Sequence, residues 1–292
     1  MLIILVYHKI LNSADDSFTD PLQISVSEKR FNEHLSFINR EFVLIDLEKG
    51  LNTKIVQSPT IYVAITFDDG YKYSLQLADS ILYANKAKAT AFICPIHCDN
   101  PEIFWWDRFA DMYIKKYETE NQRKKIWRLH QKLIRGRYDD AARKMTVLHP
   151  DISDTHRCDI TSSWDDLSEL SKEVFTFACH GLKHDWFPSM TANELERDLI
   201  AAKQMIIENG INAQSILAYP YGYRECVLMT HVSEVIASHF KWGMIAEPGL
   251  VVTKDIKNRY FIPRNHVGNW SGENLVNRIH KIANPFISKS QQ

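Results

Sequence analysis

The stretch AITFDDGYKYSLQLADSILYANKAKATAFI, residues 64–93, decides the fold. It opens with a β-branched and aromatic run, typical of a buried strand, that ends at two aspartates and a glycine. A helix is predicted over residues 74–83 and a second strand over Ala89–Ile93. Strand, helix and strand in this order predict two parallel strands joined by a crossover helix.

The same alternation continues on both sides of this stretch. Helices are predicted over residues 25–39 and 191–209, and Thr191 with Glu194 forms a capping box at the start of the second one. The other predicted strands are residues 2–7, 42–47, 61–67, 174–178, 215–219, 242–246 and 259–262. Repeated strand and helix units predict an α/β fold with a parallel sheet, whose functional groups gather at the carboxyl ends of the strands.

Residues 101–160 interrupt the alternation with a long polar stretch of helical periodicity. We expect one domain over residues 1–292 that includes 101–160 as a helical, basic insertion. Residues 113–145 contain eleven Lys and Arg against four Asp and Glu, a net charge of +7. Such an excess is typical of a solvated helical face. The alternative is a surface that contacts an anionic membrane or an acidic partner.

The composition of the whole chain excludes several classes of protein. The formal net charge is −1 over 292 residues, so a nucleic-acid-binding protein is not expected. The apolar start of the chain is short and lacks the basic flank of a signal peptide, and no run of about 18 apolar residues follows. We therefore expect a cytoplasmic protein, peripheral at the inner membrane face if the basic segment docks there. The five cysteines are irregularly spaced, which does not predict a disulfide framework.

Polar residues follow two of the predicted strands. Asp68 and Asp69 come after the strand at 61–67, where one carboxylate can bind a cation and the other can act as a base. The alternative is a pair of carboxylates that cap the next helix. His180 and His184 follow the strand at 174–178, and two imidazoles with one carboxylate are typical of a catalytic zinc site. The alternative is two histidines that are hydrogen-bonded separately.

Four segments in this order resemble the polysaccharide deacetylases, carbohydrate esterase family four. They are residues 64–93, FACHGLKHDWF at 177–187, ILAYPYG at 216–222 and FIPRNHV at 261–267. LVYHKI at 5–10 and SVSEKRFNEHLSFI at 25–38 are similar to one branch of that family. The resemblance covers most of the chain outside the insertion. It implies a distorted (β/α) barrel of about seven parallel strands.

The resemblance also implies roles for single residues. By motif position, Asp69, His180 and His184 would hold a divalent metal, with Zn²⁺ favoured and Co²⁺ or Ni²⁺ as alternatives. Asp68 would be the general base, and the backbone N–H of Tyr221 would stabilise the oxyanion. The implied enzyme is a hydrolase that removes N-acetyl or related acyl groups from an amino sugar. Its substrate would be an acetylated sugar, an oligosaccharide or a lipid-linked glycan.

Two positions depart from the family pattern. Ala218 stands where the third motif usually has an arginine, and we expect Arg264 to approach Asp68 instead. The usual closing histidine motif is not evident. His266 is therefore our candidate for the general acid that protonates the leaving amine, with His8 as the alternative.

Aromatic residues near the motifs are expected to bind the sugar, because flat apolar rings suit the apolar faces of sugars. The predicted substrate-binding residues are Tyr71, Trp105, Trp106, Trp186 and Pro220. The alternative for each ring is a place in the core. Three functions compete with the sugar deacetylase. They are a non-catalytic glycan-binding relative, a hydrolase of a non-sugar amide or ester, and a membrane-associated scaffold that acts through the basic insertion.

Overall fold

The computed structural model describes residues 1–12, 20–52, 60–116, 119–151, 159–211, 213–252 and 258–287. The strands are β1 Leu2–Tyr7, β2 Lys9–Leu11, β3 Ser25–Ser27, β4 Val43–Leu44, β5 Tyr62–Phe67, β6 Ala89–Ile93, β7 Phe175–Cys179, β8 Ala213–Ala218, β9 Trp242–Ile245, β10 Ile262–Pro263 and β11 Asn265–His266. The helices are α1 Glu28–Glu41, α2 Leu47–Asn52, α3 Lys72–Ala84, α4 Pro95–Asp99, α5 Trp105–Lys116, α6 Glu120–Leu133, α7 Tyr138–Leu148, α8 Trp164–Glu169, α9 Ala192–Glu208, α10 Glu225–Leu228, α11 Thr230–His239 and α12 Gly272–Ile287.

A parallel sheet forms the centre of the molecule. Its strand order is β10-β9-β8-β7-β6-β5-β1-β11, and β4 pairs with β5 beside this path. Ile262 and Pro263 pair with β9, whereas Asn265 and His266 pair with β1. The segment that contains β10 and β11 thus joins the two ends of the sheet. Counted as one strand, it nearly closes a barrel of seven strands, which confirms the predicted distorted (β/α) barrel.

Most predicted elements lie within a few residues of the observed ones, and two differ for a local reason. The helix predicted from residue 25 begins at Glu28, because the Ser27 hydroxyl caps it and Ser25–Ser27 pairs with β2 as β3. The strand predicted at 259–262 begins only at Ile262. Tyr260 donates its backbone N–H to the Asn258 side chain, which turns the chain just before the strand.

The segment predicted as an insertion contains α5, α6 and α7. Buried residues of these three helices, among them Trp105, Phe109 and Met145, form a separate apolar cluster together with Tyr71 of the barrel. Residues 117–118 and 152–158 of the predicted insertion lie outside the described residues. In the part of the chain that the structure describes, no helix combines the length and the apolar character that a bilayer crossing requires.

Candidate active site

The polar residues singled out in the sequence meet at the carboxyl edge of the sheet. Asp68 and Asp69 follow β5, His180 follows β7, and Arg264 lies between β10 and β11. Because all the paired strands run parallel, these ends converge although Asp68 and Arg264 are 196 positions apart in the sequence. His184 joins them from the loop after His180.

Three buried side chains converge in a geometry that suits a metal ion. The Oδ1 atom of Asp69 lies 3.5 Å from Nε2 of His180 and 3.4 Å from Nε2 of His184. Ligands of a tetrahedral zinc at about 2.0–2.1 Å from the ion lie about 3.4 Å from one another. His180 donates its Nδ1 proton to the carbonyl oxygen of Ala218 at 2.9 Å, which leaves the Nε2 lone pair free.

The hydrogen-bond inventory of this trio agrees with a bound cation. Asp69 Oδ1 is buried and has no hydrogen-bond partner among the described residues. An unpaired buried carboxylate oxygen costs free energy unless a cation or a donor satisfies it. The donor set of one carboxylate and two imidazoles fits zinc and related divalent ions.

The backbone around the trio is strained. Asp69, His184 and Tyr221 have φ angles of +74°, +65° and +62°, in the left-handed region that residues other than glycine rarely adopt. Gln23, which lines the same cavity, has a φ angle of +59°. Each such residue costs on the order of 1–3 kcal/mol, and strain of this kind clusters at functional sites.

Asp68 is held by Arg264. The guanidinium donates to both carboxylate oxygens, at 2.6 and 2.7 Å, and it is itself 0% exposed. The sequence analysis predicted that Arg264 approaches Asp68, and in the structure the two side chains form a bidentate pair. This pair leaves the Asp68 carboxylate next to the metal ligands, with Oδ2 3.8 Å from Nε2 of His180.

The charges in the cluster shift each other's pKa. Burial alone would raise the pKa of Asp68, but Arg264 and His180 outweigh it and hold the pKa below its ordinary value. The pKa of Asp69 is also lowered, against burial, by His180 and His184. Burial and the neighbouring His180 lower the pKa of His184 to about 3, so this imidazole is neutral, as a metal ligand must be.

A cavity of about 360 Å³ opens onto the trio. Part of its lining comes from the ends of the barrel strands, and we call Asp68, Asp69, His180 and His184 the barrel set. Another part comes from the insertion: Trp106 of α5, His130 of α6 and Ile134 directly after α6, which we call the insertion set. The volume lies at the low end of the roughly 300–1,000 Å³ of small-molecule sites.

Both candidates for the general acid line this cavity. His266 Nε2 contacts the backbone carbonyl oxygen of Gln23, so its Nδ1 is the nitrogen left for other partners. His8 lies close by, with ring centroids 5.7 Å apart. Burial lowers the pKa of His8 to about 4 although Asp69 and Asp68 act in the opposite direction.

The predicted sugar-binding residues divide into two groups. Trp106 lines the cavity and packs against the His184 ring at 4.7 Å. Tyr71 and Trp105 are both 0% exposed and do not line the cavity, so their role in sugar binding stays a prediction. Tyr71 instead donates to the Asp107 carboxylate, and Trp105 packs against Trp106 within the insertion.

Trp186 and Pro220 are likewise buried and do not line the cavity. Trp186 packs against Tyr221 at 6.2 Å, and Tyr221 does line the cavity. Trp186 therefore reaches the cavity only through its contact with Tyr221. The prediction that Trp186 and Pro220 bind the substrate stays a prediction.

Sequence reasoning missed several cavity residues. They are Leu22, Gln23, Ile24, His130, Ile134, Gly222, Tyr223 and Ala246. Only two of them belong to or follow a motif at a strand end: Gly222 is the last residue of the ILAYPYG segment, and Tyr223 directly follows it. His130 had no local signal beyond its place on an amphipathic helix, because its position at the cavity depends on how α6 packs.

Comparison with known proteins identifies the type of domain. A family model described as polysaccharide deacetylase matches residues 56–234. Among curated proteins, no sequence is similar enough to this chain to count as a match.

Several solved structures share the fold. The Streptococcus pyogenes deacetylase PplD, solved in complex with acetate, has a TM-score of 0.62 and 16% identity, covering 95% of this chain and 97% of that one. IcaB from Ammonifex degensii has a TM-score of 0.61 and 14% identity, covering 97% and 96%. A de-N-acetylase from Aggregatibacter actinomycetemcomitans has a TM-score of 0.60 and 14% identity, covering 95% and 99%. At these identities the likeness shows the fold.

Proposed function

This chain belongs to the polysaccharide deacetylase family, and from that premise we propose that it removes an N-acetyl or related acyl group from an amino sugar with the help of a divalent metal ion. Asp69, His180 and His184 would hold the ion, with Zn²⁺ as the first choice. The observation that supports this most is the buried, unpaired Asp69 Oδ1, which faces two imidazole nitrogens at 3.4 and 3.5 Å.

A divalent ion at this place supplies Lewis-acid chemistry, which acidifies water and polarises an acyl oxygen. Asp68 then serves as the base that accepts the proton of the attacking water. Its lowered pKa keeps it ionised at neutral pH. Arg264 fixes both carboxylate oxygens by two hydrogen bonds, so the base does not have to be oriented during the reaction.

The remaining steps fall to Tyr221 and His266. The backbone N–H of Tyr221, a residue with a positive φ angle that lines the cavity, would donate to the developing oxyanion. Water adds to the acyl carbon, the C–N bond breaks, and acetate leaves. His266, whose Nε2 is engaged by the Gln23 carbonyl, delivers a proton from Nδ1 to the amine nitrogen.

The exposed basic residues on the outer face of α6 suggest the kind of surface on which the substrate lies. Lys125, Arg128 and Lys132 are exposed, and among the described residues no carboxylate pairs with them, unlike Lys124, which pairs with Glu120 at 2.6 Å. Basic side chains are attracted to anionic lipid by about 1 kcal/mol each. We therefore propose a lipid-linked glycan at an anionic membrane surface as the substrate class, and with it a location at the inner face of the membrane.

The direct test is metal analysis together with acetate release from a panel of N-acetylated sugars, oligosaccharides and lipid-linked glycans. We expect His184→Ala to lose both metal and turnover. Asp68→Asn should retain metal and lose turnover by about 10²–10⁴-fold, the range that a general base contributes. His231→Ala is the matched control, because His231 bonds only the Met190 carbonyl in the described part of the chain, outside the site.

Three other outcomes would argue against the proposed base or the proposed function. Near-normal turnover by Asp68→Asn would refute its role as base. A protein that binds metal but releases acetate from no sugar would favour the alternative of a non-catalytic glycan-binding relative. Acetate release from simple amides or esters, but from no sugar, would favour the non-sugar hydrolase.

A further inference from the structure

His130 on α6 is a polar residue that the mechanism above does not use. It lines the cavity together with the metal ligands, and it is 9% exposed. Its ring lies among three aromatic rings of the insertion, with centroids 4.6 Å from Phe109, 5.0 Å from Trp127 and 5.4 Å from Trp105.

The imidazole of His130 lacks the hydrogen bonds that three other buried histidines of this chain, His34, His97 and His149, make. His34 contacts the Tyr7 hydroxyl and the Trp270 carbonyl, and His149 contacts the Asp111 carboxylate at 2.7 Å. His97 contacts the Glu102 carboxylate at 2.9 Å. For His130, no such contact exists with any residue that the structure describes, and its Nδ1 is buried without a partner.

A buried imidazole nitrogen without a partner, such as Nδ1 of His130, is unfavourable in the free protein. Leaving one polar group unpaired costs on the order of 1–3 kcal/mol. Phenylalanine would fill the same aromatic surroundings without that cost, so packing alone does not explain a histidine here. A ligand in the cavity could supply the missing partner to the ring.

The chemistry of the surroundings narrows the kind of ligand group. Burial lowers the pKa of His130 to about 4, so the ring is neutral near pH 7 and offers one N–H donor and one acceptor. A neutral ring among aromatic side chains does not balance the charge of a phosphate or a carboxylate. A hydroxyl, which both donates and accepts, matches it.

We propose that His130 forms a hydrogen bond with a ring hydroxyl of the amino sugar whose acyl group lies at the metal ligands. Trp106 packs an apolar face of the same sugar, because it lines the cavity between the insertion helices and His184. Asp69 and His130 line the same cavity of about 360 Å³, a volume at the low end for small-molecule sites, which places one sugar beside both. This assignment rests on the proposed function, and it makes the insertion a determinant of sugar specificity.

The test compares His130→Phe with wild-type enzyme on two kinds of substrate. One is the N-acetylated amino sugar that the wild type turns over best, with a series of its monodeoxy analogues. The other is a small aryl acetate that has no sugar. We expect His130→Phe to lower kcat/KM on the sugar about tenfold, mainly through KM, and to lower aryl acetate hydrolysis by a clearly smaller factor.

The deoxy series identifies the hydrogen bond itself. One monodeoxy analogue should be about tenfold poorer for the wild type and no poorer for His130→Phe, because the partner of its missing hydroxyl is already gone. Additive losses on every analogue would overturn the proposal, as would an equal loss on sugar and aryl acetate or no loss on either.

Two controls separate this from other failures. His149→Phe removes a buried histidine of the same insertion that already has the Asp111 carboxylate as partner, so it reports general damage to the helices. His130→Asn keeps a donor and an acceptor, so it should recover part of the kcat/KM that His130→Phe loses. It keeps the proposal testable if His130→Phe folds poorly. If the wild type releases acetate from no sugar, the proposed function fails first, and the assignment of His130 falls with it.

Discussion

The barrel set and the insertion set line one cavity, but their side chains are held in different ways. The barrel set is fixed by backbone geometry, since Asp68, Asp69 and His180 follow parallel strands and His184 lies in the loop after His180. Asp69 and His184 adopt left-handed conformations. The insertion set is fixed by side-chain packing, since Trp106, His130 and Ile134 are placed by three helices around an aromatic cluster. The comparison teaches that one cavity can combine two kinds of support: strand ends place its carboxylates and imidazoles, and helix packing places Trp106, His130 and Ile134.

The two sets are joined by a buried polar bridge. Lys9, just after β1, pairs with Asp107 of α5 at 2.6 Å, and Asp107 also accepts a hydrogen bond from Tyr71. Trp106 donates its indole N–H to the Tyr71 hydroxyl at 2.8 Å and packs on His184. The bridge therefore runs from the barrel through the insertion and back to a proposed metal ligand.

Among substitutions that keep the proposed metal ligands, Arg264→Met is expected to have the largest effect on the stability and turnover that depend on the barrel set. Asp68 would remain buried without its cation, which typically destabilises a protein by about 3–5 kcal/mol. We also expect turnover to fall by at least about 10²-fold, because the base loses its orientation. Urea denaturation and acetate release measure the two effects.

The matched control for Arg264→Met is Arg278→Met, in which an arginine that stacks on Trp270 at 3.8 Å is removed far from the cavity. Arg278→Met should keep full turnover. A variant Arg264→Met with wild-type turnover would show that the pair with Asp68 serves stability alone.

The link between the two sets is tested by Lys9→Met. This change leaves Asp107 buried and unpaired, and we expect a loss of about 3–5 kcal/mol in unfolding free energy. Metal content should stay the same, because neither residue belongs to the trio. The double variant Lys9→Met with Asp107→Leu should lose less than Lys9→Met alone, since no buried charge remains. A double variant that is no more stable than the single one would argue against an ion pair as the link.

A smaller effect is expected where α9 supports the loop between His180 and His184. Asp198 accepts the backbone N–H of Leu182 at 3.0 Å, and burial raises its pKa to about 6. An aspartate has a pKa of about 3.9 when unfolded, so folding favours the protonated form. The stability that this group contributes is full below about pH 4 and is lost as the pH rises through about 6.

Asp198→Asn should therefore stabilise the protein by about 1–3 kcal/mol near pH 7.5, and the gain should vanish near pH 4. Thermal denaturation of both proteins across this range measures the difference. Asp139→Asn is the control, because Asp139 is 63% exposed in its pair with Lys183. A stability difference that does not change with pH would contradict the raised pKa of Asp198.

The smallest effect concerns the outer face of the insertion. Charge reversal of Lys125, Arg128 and Lys132 should weaken binding to vesicles of phosphatidylglycerol and phosphatidylcholine, by about 1 kcal/mol per residue in low salt. Turnover of a small water-soluble substrate should not change, because these side chains do not line the cavity.

Sedimentation with vesicles at low and high salt measures this binding. The matched control reverses three exposed lysines elsewhere on the chain, Lys88, Lys172 and Lys281. Equal loss in both triple variants would mean that net charge alone, and not the face of α6, governs binding.

Much of the barrel set could be predicted because its signals are local. A buried strand that ends in Asp68 and Asp69, and a second that ends in His180, place carboxylates and imidazoles at one edge of any parallel sheet. Even the approach of Arg264 to Asp68 followed from motif order and from the missing arginine at Ala218. The roles of Asp68, Tyr221 and His266 in catalysis stay predictions.

The sequence by itself determined the α/β alternation, the parallel sheet and the identity of the residues at its carboxyl edge, because strand and helix periodicity are properties of neighbouring residues. Only the tertiary structure decided that Tyr71 and Trp105 are buried and that His130 lines the cavity. An aromatic residue or a histidine on an amphipathic helix has the same local sequence pattern whether it is buried in the core or lines the cavity. Which rings reach the cavity depends on contacts between segments far apart in the chain, and those form only when the insertion packs on the barrel.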